Sequence, residues 1–297
     1  KHIRDLKMSK KIVILGNGYV GKNLHDRLLY SGPKKKSFDV KIEKRKLLNY
    51  NDIKSLEIYL DREKPDYVIN CSGFTGRPNV DEGEFKKELC FELNTFGPLR
   101  VSNLCKVKNI DYIHISSGCI YTGYEKPWEE DDEPNFGLFD EDSSTYSKSK
   151  HAFELGCDWG LILRVRMPFC DILHDRSFIT KIYKYDNLLD RVNSKTYIPQ
   201  LLDFIEHFVT NGYEAKEKDI LNFVNPEALS TARVTQMMEK FDVVNPDWDW
   251  VHYCDLDTVA HRSNCVMSTD KLEDEYGFEI WDEEVALECA LTNIINV

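Results

Sequence analysis

Long hydrophobic runs are scarce in this sequence. Its purely aliphatic runs do not exceed the four residues IVIL, Ile12 to Leu15, whereas a membrane-spanning helix needs about 18 to 20 apolar residues. No signal-peptide pattern is recognisable either. We therefore expect a protein that is neither membrane-embedded nor secreted. Met8 follows seven residues, and we expect Lys1 to Lys7 to be a tag or vector remnant outside the fold.

Paired cysteine motifs are also lacking. The nine cysteines are an odd number, and none of them forms a C-x-x-C pair. This pattern argues against a disulfide framework and against a structural zinc site, and we expect no metal. A reducing cytoplasm fits best, with most of the cysteines acting as small buried apolar residues.

Basic residues are fewer than acidic ones in this sequence. The sequence has 39 Lys and Arg against 51 Asp and Glu, which gives a formal net charge of -12. Such a balance repels a phosphate backbone, so we expect no nucleic-acid partner. A small phosphorylated ligand needs only a few local cations and remains compatible. The 42% hydrophobic content of the 297 residues predicts a folded protein of one or two domains rather than a disordered chain.

Apolar runs alternate with longer polar stretches over the first 168 residues. The runs KIVIL, FDVKI, DYVINCSG, DYIHISSGCIY and GLILRVRMP read as strands, and the stretches between them are long enough for crossover helices. This alternation predicts an α/β fold, a doubly wound parallel sheet of Rossmann type over residues 8–168. We expect residues 169–297 to form a smaller, mainly substrate-binding part with charged helices at Ile198 to Thr210 and Val234 to Phe241. Residues of about 198–225 are expected to return to the sheet.

A glycine motif follows the first strand. Gly16, Gly18 and Gly21 form G-x-G-x-x-G between a strand and a helix, where the turn permits close backbone approach to a pyrophosphate at a helix N-terminus. We predict that a dinucleotide is bound by Gly16, Asn17, Gly18, Tyr19, Val20 and Gly21.

The residues after the second strand bear on which dinucleotide is bound. An acid about 20 residues beyond the last glycine binds the ribose hydroxyls of NAD, and Asp39 and Glu43 are both candidates. The cations Lys44 to Lys46 follow directly, where a 2′-phosphate would lie. We favour NADPH, with Arg45 as a cofactor ligand, and keep NADH as the alternative.

A tyrosine and a lysine share one helical face. Tyr146 and Lys150 form Y-x-x-x-K, one turn apart, after a strand that ends in Ser116 and Ser117. A cation close to a phenol stabilises its ionised form, so we expect Lys150 to lower the pKa of Tyr146 from about 10. Together with Ser117 these residues form a candidate catalytic triad.

The motif order GNGYVG, NCSG, SSGCIY, YSKSK and LRVRMP resembles the extended short-chain dehydrogenase/reductases. The segments FTGRPNVD, SFITKI and HRSN narrow this resemblance to the UDP-4-keto-6-deoxyglucose 3,5-epimerase/4-reductases of plants and giant viruses, relatives of dTDP-4-dehydrorhamnose reductase and GDP-fucose synthase. The resemblance covers nearly all of the chain beyond Met8.

The resemblance implies two activities in one pocket. NADPH-dependent reduction of the 4-keto group would use Ser117 to polarise the oxygen, Tyr146 to donate a proton and Lys150 to hold the nicotinamide ribose. Epimerisation at carbons 3 and 5 would use Cys119 as base, since reductase-only relatives lack this cysteine, and an acid on the opposite face of the sugar. Lys181 is our candidate for that acid, and His174 is the alternative. The product would be UDP-L-rhamnose.

The resemblance also implies binding residues and partners. It places Cys71, Ser72, Gly73 and Asn94 on the cofactor side. It places Thr75, Arg77, Asn79 and Arg262 on the side of the nucleotide-sugar substrate, with Arg262 gripping its diphosphate. A cytoplasmic homodimer is expected, in the host cytoplasm for a viral enzyme. UDP and dTDP remain alternatives, and so do a reductase without epimerase activity and a non-catalytic NADP-binding subunit.

Overall fold

The computed structural model describes residues 10–30, 38–45, 48–50, 52–245, 248–252, 255 and 258–295. The strands are β1 Lys11–Leu15, β2 Asp39–Glu43, β3 Tyr67–Asn70, β4 Asp111–Ser117, β5 Gly123–Trp128, β6 Leu161–Val165, β7 Asn187–Leu188, β8 Asp219–Asn222, β9 Asp249–Trp250 and β10 Cys265–Met267. The helices are α1 Tyr19–Tyr30, α2 Ile53–Glu63, α3 Glu82–Phe85, α4 Lys87–Phe91, α5 Gly97–Lys108, α6 Thr145–Gly156, α7 Phe178–Lys184, α8 Ile198–Asn211, α9 Thr231–Lys240, α10 Asp270–Tyr276 and α11 Glu283–Ile295. A π-helical segment, Glu92–Phe96, joins α4 to α5.

Six strands form one parallel sheet in the order β2-β1-β3-β4-β6-β8. Ile14 of β1 lies between Ile42 of β2 and Ile69 of β3, which fixes the register at the point where the strand order reverses. Ligands of such sheets bind at the carboxyl ends of the strands beside this reversal. The Rossmann-type doubly wound fold predicted from the apolar runs is confirmed.

Helices cover both faces of the sheet. Side chains alternate along β1, so that Ile12 and Ile14 pack with α1 and α8 on one face. Val13 and Leu15 pack on the other face with α2, α5 and α6. Because both faces are buried, the central strands need an apolar residue at nearly every position, and they read as continuous apolar runs in the sequence.

Helix α8 differs from the charged helix that the sequence analysis expects there. Eight of its 14 residues are buried, and Leu201, Phe204 and Phe208 pack in the same core as β1 and β3. Its few charged residues leave an apolar stripe wide enough to cover the sheet. Helix α8 and strand β8 therefore belong to the layers of the sheet.

A separate core lies beyond the carboxyl end of β6. Phe169, four residues after β6 ends, packs with Ile179 of α7, Met238 of α9 and Leu287 of α11. This small helical part is called the cap below. The cap begins where β6 leaves the sheet, so its first segments lie beside the carboxyl ends of the central strands.

The eight cysteines within the described ranges are free thiols. Over those same ranges, the structure contains no helix whose length and hydropathy suit a bilayer crossing.

A buried ion pair joins the cap to the chain that precedes α8. Lys195 Nζ donates to Glu283 Oε1 at 2.6 Å, and both side chains are at most 2% exposed. Substituting Lys195→Met leaves the Glu283 charge buried without its partner, and we expect the free energy of unfolding to fall by about 3–5 kcal/mol. Urea denaturation followed by circular dichroism measures this loss.

A nearby surface pair provides the control. Arg233 and Glu284 are also ion-paired, but both side chains are almost half exposed, so Arg233→Ala should cost about 0–1 kcal/mol. The double variant Lys195→Met/Glu283→Leu should recover most of the stability, since it removes both charges. Equal losses in Lys195→Met and Arg233→Ala would contradict the assignment of a buried, interdependent pair.

Candidate active site

The glycine turn between β1 and α1 forms an open cradle. Gly16 has a φ of +102°, and a Cβ atom added to it would lie 2.8 Å from the amide nitrogen of Ser72. A Cβ atom on Gly21 would lie 2.0 Å from the carbonyl oxygen of Gly16. A Cβ atom on exposed Gly18 would meet no atom within 4 Å, so the open side of the turn lies there. Such a turn before a helix N-terminus suits a pyrophosphate.

The end of β2 bears on the ribose of the cofactor. Asp39 lies at the amino end of β2 and pairs with Lys11 at the start of β1, at 3.8 Å. The proposal of Asp39 as a ribose ligand is therefore wrong, because phosphates bind at the opposite end of the strands. Glu43 lies at the correct end, but its Oε1 accepts a hydrogen bond from the Tyr59 hydroxyl at 2.7 Å.

Arg45 lies next to the glycine turn. The Gly16 amide donates to the carbonyl of Glu43 at 3.0 Å, which brings the end of β2 against the turn. The Arg45 guanidinium carbon lies 5.0 Å from the ring centre of Tyr50, and its Nε is buried with no hydrogen-bond partner among the described residues. An unpartnered guanidinium nitrogen at this place fits a phosphate on the ribose. Lys44 is exposed, and Lys46 lies outside the described residues.

Asn94 organises the loop after β3. It lies in the π-helical segment, a geometry that is frequent at functional sites. Its side chain bonds both backbone groups of Phe74, at 2.7 Å and 2.9 Å, and donates to Ser149 Oγ at 3.0 Å. A Cβ atom on Gly73 would lie 3.2 Å from Asn94 Oδ1 and 3.6 Å from Lys150 Nζ, so the glycine permits this close approach.

The other predicted residues of this loop are placed by its backbone. Ser72 is buried, and its amide and hydroxyl both donate to Asn70 Oδ1. Cys71 packs against the glycine turn, and burial raises the pKa of its thiol to about 12. Both residues therefore shape the cradle, and their side chains are committed to it.

Tyr19 and His174 pack together. Their rings are stacked with centroids 4.5 Å apart, although Tyr19 lies in the glycine motif and His174 lies in the loop before α7. His174 Nδ1 also accepts the backbone N–H of Arg176 at 3.1 Å. The stack therefore joins the cofactor turn to the cap.

The predicted triad is assembled at the carboxyl end of β4. Ser117 ends β4, and the side chain of Ser117 is within hydrogen-bonding reach of the Tyr146 phenol. Helix α6 is capped by Ser144, which accepts the amide of Ser147 at 3.1 Å, and Tyr146 lies in its first turn. Lys150 Nζ lies 6.0 Å from the centre of the Tyr146 ring and donates to the carbonyl of Ile115 at 3.4 Å.

The pKa of Tyr146 moves in the direction opposite to the one predicted. Burial raises it well above 10, and a charge on Cys119 raises it further, while Ser117 and Arg176 lower it only in part. The expected lowering by Lys150 is therefore wrong, because desolvation of the phenolate outweighs the nearby cations. A phenol in this state holds its proton at neutral pH, as a proton donor must.

Burial lowers the pKa of Lys150 to about 8. The charges of Glu154, Cys90 and Cys119 oppose this effect, with Glu154 the largest of the three. Glu154 lies one turn after Lys150 on α6 and is itself held by Arg164 Nη2 at 2.8 Å. The ammonium form of Lys150 therefore persists at neutral pH and is lost in mildly alkaline solution.

Cys119 lies on a half-buried turn two residues beyond β4. Its amide donates to Ser117 Oγ at 3.2 Å, and its carbonyl accepts from Ser147 Oγ at 2.6 Å. An ionised Cys119 raises the pKa of Tyr146 and Lys181, so the thiol lies within electrostatic range of both. The thiol of Cys119, the phenol of Tyr146 and the ammonium of Lys181 therefore lie near one another.

Two cations from the cap lie within electrostatic range of Tyr146 or Cys119. Lys181 on α7 is half-buried, and its side-chain ammonium forms no hydrogen bond or ion pair within the described parts of the chain. Burial lowers its pKa, the charge of Arg176 lowers it further, and an ionised Cys119 raises it. A lysine whose pKa is lowered by desolvation gives up its proton more readily than an exposed one, as a general acid must.

Arg176 is a candidate that the sequence analysis missed. Its Nη1 donates to the carbonyl of Gly76 at 2.9 Å, and its charge lowers the pKa of both Tyr146 and Lys181. Arg176 lies in a loop, where the sequence shows no helical or strand pattern. The one feature of the sequence that could have indicated a role is its position after the carboxyl end of β6, where ligands of such sheets bind.

The Arg262 side chain is paired with a carboxylate of this chain. Its two terminal nitrogens donate to the two carboxylate oxygens of Asp81 at 2.8 Å and 3.0 Å. The Ala260 amide also donates to Asp81, at 2.9 Å. This bidentate pair joins the loop after β3 to the segment before β10, and it occupies the fork that was predicted to grip a diphosphate.

The remaining predicted substrate residues line the loop after β3. Thr75 and Arg77 are exposed, and Asn79 Oδ1 accepts the amide of Asp81 at 2.8 Å. Arg77 donates its backbone N–H to Glu82 at 2.7 Å, which leaves its side chain toward solvent. The loop therefore presents polar groups on the open side of the pocket.

Comparison with known proteins places this geometry in a family. The family profile described as RmlD substrate binding domain matches residues 10–294. A bifunctional dTDP-4-dehydrorhamnose 3,5-epimerase/dTDP-4-dehydrorhamnose reductase of Arabidopsis thaliana is 31% identical over 240 residues, which are 76% of this chain and 76% of that protein. A trifunctional UDP-glucose 4,6-dehydratase/UDP-4-keto-6-deoxy-D-glucose 3,5-epimerase/UDP-4-keto-L-rhamnose-reductase of the same plant is 32% identical over 72% of this chain. The match spans about a third, 32%, of that longer protein.

Solved structures share the fold. The crystal structure of a UDP-rhamnose synthase from Acanthamoeba polyphaga mimivirus has a TM-score of 0.83 and 26% identity, with 96% of this chain and 100% of that chain covered. A dTDP-4-dehydrorhamnose reductase of Bacillus anthracis in complex with NADP has a TM-score of 0.79 and 17% identity, with 97% and 99% covered.

Proposed function

This chain belongs to the family of the RmlD substrate binding domain, and from that membership and the site geometry we propose that it is a bifunctional nucleotide-sugar enzyme. It epimerises UDP-4-keto-6-deoxyglucose at carbons 3 and 5 and reduces carbon 4 with NADPH, giving UDP-L-rhamnose. The family predicted from the sequence motifs is confirmed. The observation that carries the proposal is that Cys119, whose amide donates to Ser117 Oγ at 3.2 Å, lies within electrostatic range of the Tyr146 phenol.

The cofactor is NADPH, which supplies the hydride for carbon 4. The relatives support this choice, since one solved neighbour was crystallised with NADP. In this chain the open turn at Gly18 would hold the pyrophosphate, and the unpartnered nitrogen of Arg45 would hold the 2′-phosphate. Gly73 and Asn94 would shape the wall beside Lys150, which would hold the ribose.

The reduction step needs a proton at the carbonyl oxygen. Tyr146 donates it, because its buried phenol keeps its proton at neutral pH. Ser117 donates a hydrogen bond to the same oxygen and polarises it. The Lys150 ammonium, charged at neutral pH, stabilises the phenolate that remains after the transfer.

The epimerisation steps use the same oxygen as an electron sink. The Cys119 thiolate removes the proton from carbon 3 or carbon 5, and the electrons of that C–H bond form a C=C bond while the C=O electrons move onto oxygen. Ser117 and Tyr146 stabilise the resulting enolate. The Lys181 ammonium returns a proton to the carbon from the opposite face, which inverts the centre and re-forms the ketone. Exchange with solvent resets both groups.

Cations at the mouth of the pocket would receive the substrate diphosphate. Arg176 and Arg262 both lie within electrostatic range of Lys181. A guanidinium binds phosphate oxygens through two parallel N–H groups. Asp81 holds the Arg262 fork in the unliganded chain, so substrate binding would exchange a carboxylate for a phosphate. Thr75, Arg77 and Asn79 would complete the rim.

The chain is proposed to act as a cytoplasmic homodimer. Phe85, Leu89 and Phe96 are exposed along the consecutive segments from α3 to the π-helical segment, which gives the helices flanking the sheet an apolar outer face. The free thiols within the described ranges support a reducing compartment.

One experiment tests the function directly. The protein is mixed with UDP-4-keto-6-deoxyglucose and either NADPH or NADH, and the product sugar is identified by NMR. UDP-L-rhamnose formed with NADPH is the expected result. A product that keeps the gluco configuration at carbons 3 and 5 would leave only a reductase, and no NADPH consumption with any nucleotide 4-keto sugar would refute the enzyme assignment.

The pH dependence of reduction provides a further prediction. Lys150 has a pKa of about 8, so its ammonium form is lost as the pH rises through that value, and the rate of reduction should fall on that alkaline limb. The charge of Glu154 raises the pKa of Lys150, and Glu154→Gln should therefore move the limb to lower pH. The measurement is kcat/KM for the epimerised keto sugar as a function of pH. Glu92→Gln, a half-exposed control on the neighbouring π-helical segment, should leave the limb in place. An unmoved limb in Glu154→Gln would exclude Lys150 as its source.

A further inference from the structure

Arg166 donates a hydrogen bond to the turn that carries Cys119. It follows the last residue of β6, its side chain is among the largest fully buried ones, and its amide donates to Thr196 Oγ1 at 3.0 Å. Its Nη1 donates to the carbonyl of Gly118 at 3.3 Å and to Ser263 Oγ at 2.7 Å. Its Nη2 donates to the carbonyl of Ser263 at 2.8 Å and to the side-chain oxygen of Asn193.

The acceptors around Arg166 are all neutral. Within the described residues its guanidinium has no carboxylate at ion-pair distance, whereas Arg164, two residues earlier on β6, is paired with Glu154 at 2.8 Å. A buried cation without a counter-charge is costly, and it stabilises any anion that forms nearby. Burial raises the pKa of the neighbouring thiol Cys265, the charge of Arg166 opposes that rise, and an ionised Cys119 adds to it.

The backbone around Cys119 is held by hydrogen bonds from several parts of the chain. Ser117 Oγ at the end of β4 accepts a hydrogen bond from the Cys119 amide, and Ser147 Oγ on α6 donates to the Cys119 carbonyl. Arg166 donates to the carbonyl of the preceding residue, Gly118. A Cβ atom on Gly118 would lie 2.2 Å from Met267 Sδ, so a larger residue there would require the Met267 side chain to move. These contacts fix the backbone that carries the thiol. The Gly118 carbonyl accepts from Arg166 Nη1 at 3.3 Å, from the Tyr121 amide at 3.4 Å and from Cys265 Sγ at 3.9 Å, and Arg166 supplies the charged donor among the three.

We propose that Arg166 is the positioning residue of Cys119: its guanidinium fixes the Gly118–Cys119 peptide so that the thiol faces Tyr146, and it supplies a fixed positive charge beneath the thiolate. This inference rests on the proposed role of Cys119 as base. Ser263, which Arg166 holds at two atoms, follows Arg262 in the chain. The same guanidinium thus also connects the Cys119 turn to the segment proposed to bind the diphosphate.

Other titratable groups lie within electrostatic range of Cys119. Tyr146 and Lys150 approach from α6, Lys181 approaches from α7, and Cys265 approaches from β10. Cys265 also contacts the Gly118 carbonyl, through its thiol at 3.9 Å, whereas Arg166 bonds that carbonyl through a charged side chain at 3.3 Å. Removal of Arg166 should therefore change both the position and the titration of the thiol, and the two effects are separable.

The test compares Arg166→Lys with Arg166→Gln. Alkylation of Cys119 by iodoacetamide is followed against pH by peptide mass spectrometry, without sugar or cofactor, and deuterium incorporation at carbons 3 and 5 is measured with the substrate. Arg166→Lys keeps the charge but loses the guanidinium fork, so incorporation should fall by about 10²-fold while the alkylation midpoint stays close to that of the unsubstituted protein. Arg166→Gln should lose incorporation similarly and also move the midpoint to higher pH, because the cation is gone. In both variants the loss should fall on incorporation more than on reduction of the epimerised sugar.

Arg164→Lys is the matched control, since it alters an equally buried arginine of the same region that contacts Glu154 instead of Gly118. It should leave the alkylation profile of Cys119 unchanged. The proposal is overturned if the alkylation midpoint is unmoved in Arg166→Gln. It is also overturned if both Arg166 variants, measured as folded protein, lose incorporation and reduction by the same factor. Should Arg166→Gln not fold, Arg166→Lys decides alone through the ratio of incorporation to reduction. Failure of the proposed function is distinct, because the unsubstituted protein would then incorporate no deuterium while the alkylation profiles still report on Arg166.

Discussion

Replacing Cys119 with alanine is expected to abolish deuterium incorporation at carbons 3 and 5, while reduction of a sugar already epimerised continues. Loss of a positioned base should lower the rate of incorporation by about 10²–10⁴-fold. The Ser117 and Tyr146 hydroxyls remain in place, since Cys119 is held through its backbone and alanine keeps those bonds. The measurement is NMR of the sugar after incubation in deuterated buffer without NADPH.

Cys105→Ala is the matched control for Cys119→Ala. Cys105 is a fully buried thiol in the core between the sheet and α5, and burial raises its pKa beyond the physiological range. Its replacement should cost stability but leave deuterium incorporation at the level of the unsubstituted protein. Unchanged incorporation in Cys119→Ala would remove the cysteine from the mechanism and return the reductase-only alternative.

The parts of this molecule that depend on local pattern could be predicted from the sequence. The IVIL run and its four companions are strands of a parallel sheet, and such strands are apolar throughout because both faces are buried. The glycine turn could be predicted because it requires glycine at fixed positions. At two of them, Gly16 and Gly21, a Cβ atom would clash with the backbone. The spacing of Tyr146 and Lys150 could be predicted because it is one turn of a helix.

The parts that depend on tertiary burial could not be predicted. The pKa of Tyr146 follows from desolvation, which a sequence does not display, and so its direction was wrong. Helix α8 was taken for a charged helix because its few acids were visible and its packing against the sheet was not. Glu43 has the spacing of a ribose ligand, yet a tyrosine on α2 occupies its carboxylate.

Contacts between distant segments were also invisible in the sequence. Arg176 reaches the carbonyl of Gly76 across 100 positions, and Arg166 reaches Ser263 across 97. The Arg262 fork meets Asp81 across 181 positions, so a residue predicted to hold substrate also joins two distant segments of the chain. Such contacts follow from the crossing order of the sheet and not from any motif.

Replacing Tyr146 with phenylalanine is expected to impair both activities, in contrast to Cys119→Ala. Reduction should fall by about 10²–10⁴-fold, because the only proposed proton donor to the carbonyl oxygen is lost and the buried site limits replacement by water. Deuterium incorporation should fall by about 10²–10³-fold, because the enolate loses one of its two proposed hydrogen-bond donors and keeps Ser117. Single-turnover NADPH oxidation and NMR of the sugar measure the two rates separately.

Tyr67→Phe is the control for the loss of a buried hydroxyl. The Tyr67 hydroxyl donates to the carbonyl of Tyr213 at 2.7 Å, at the amino end of β3 and away from the pocket, so both rates should persist in this variant. The two active-site variants together test whether one oxygen serves both reactions. A shared electron sink requires that Tyr146→Phe lower incorporation as well as reduction. If Tyr146→Phe abolished reduction and left incorporation untouched, the enolate would have to be stabilised elsewhere, and epimerisation and reduction would occupy separate sets of groups in the pocket.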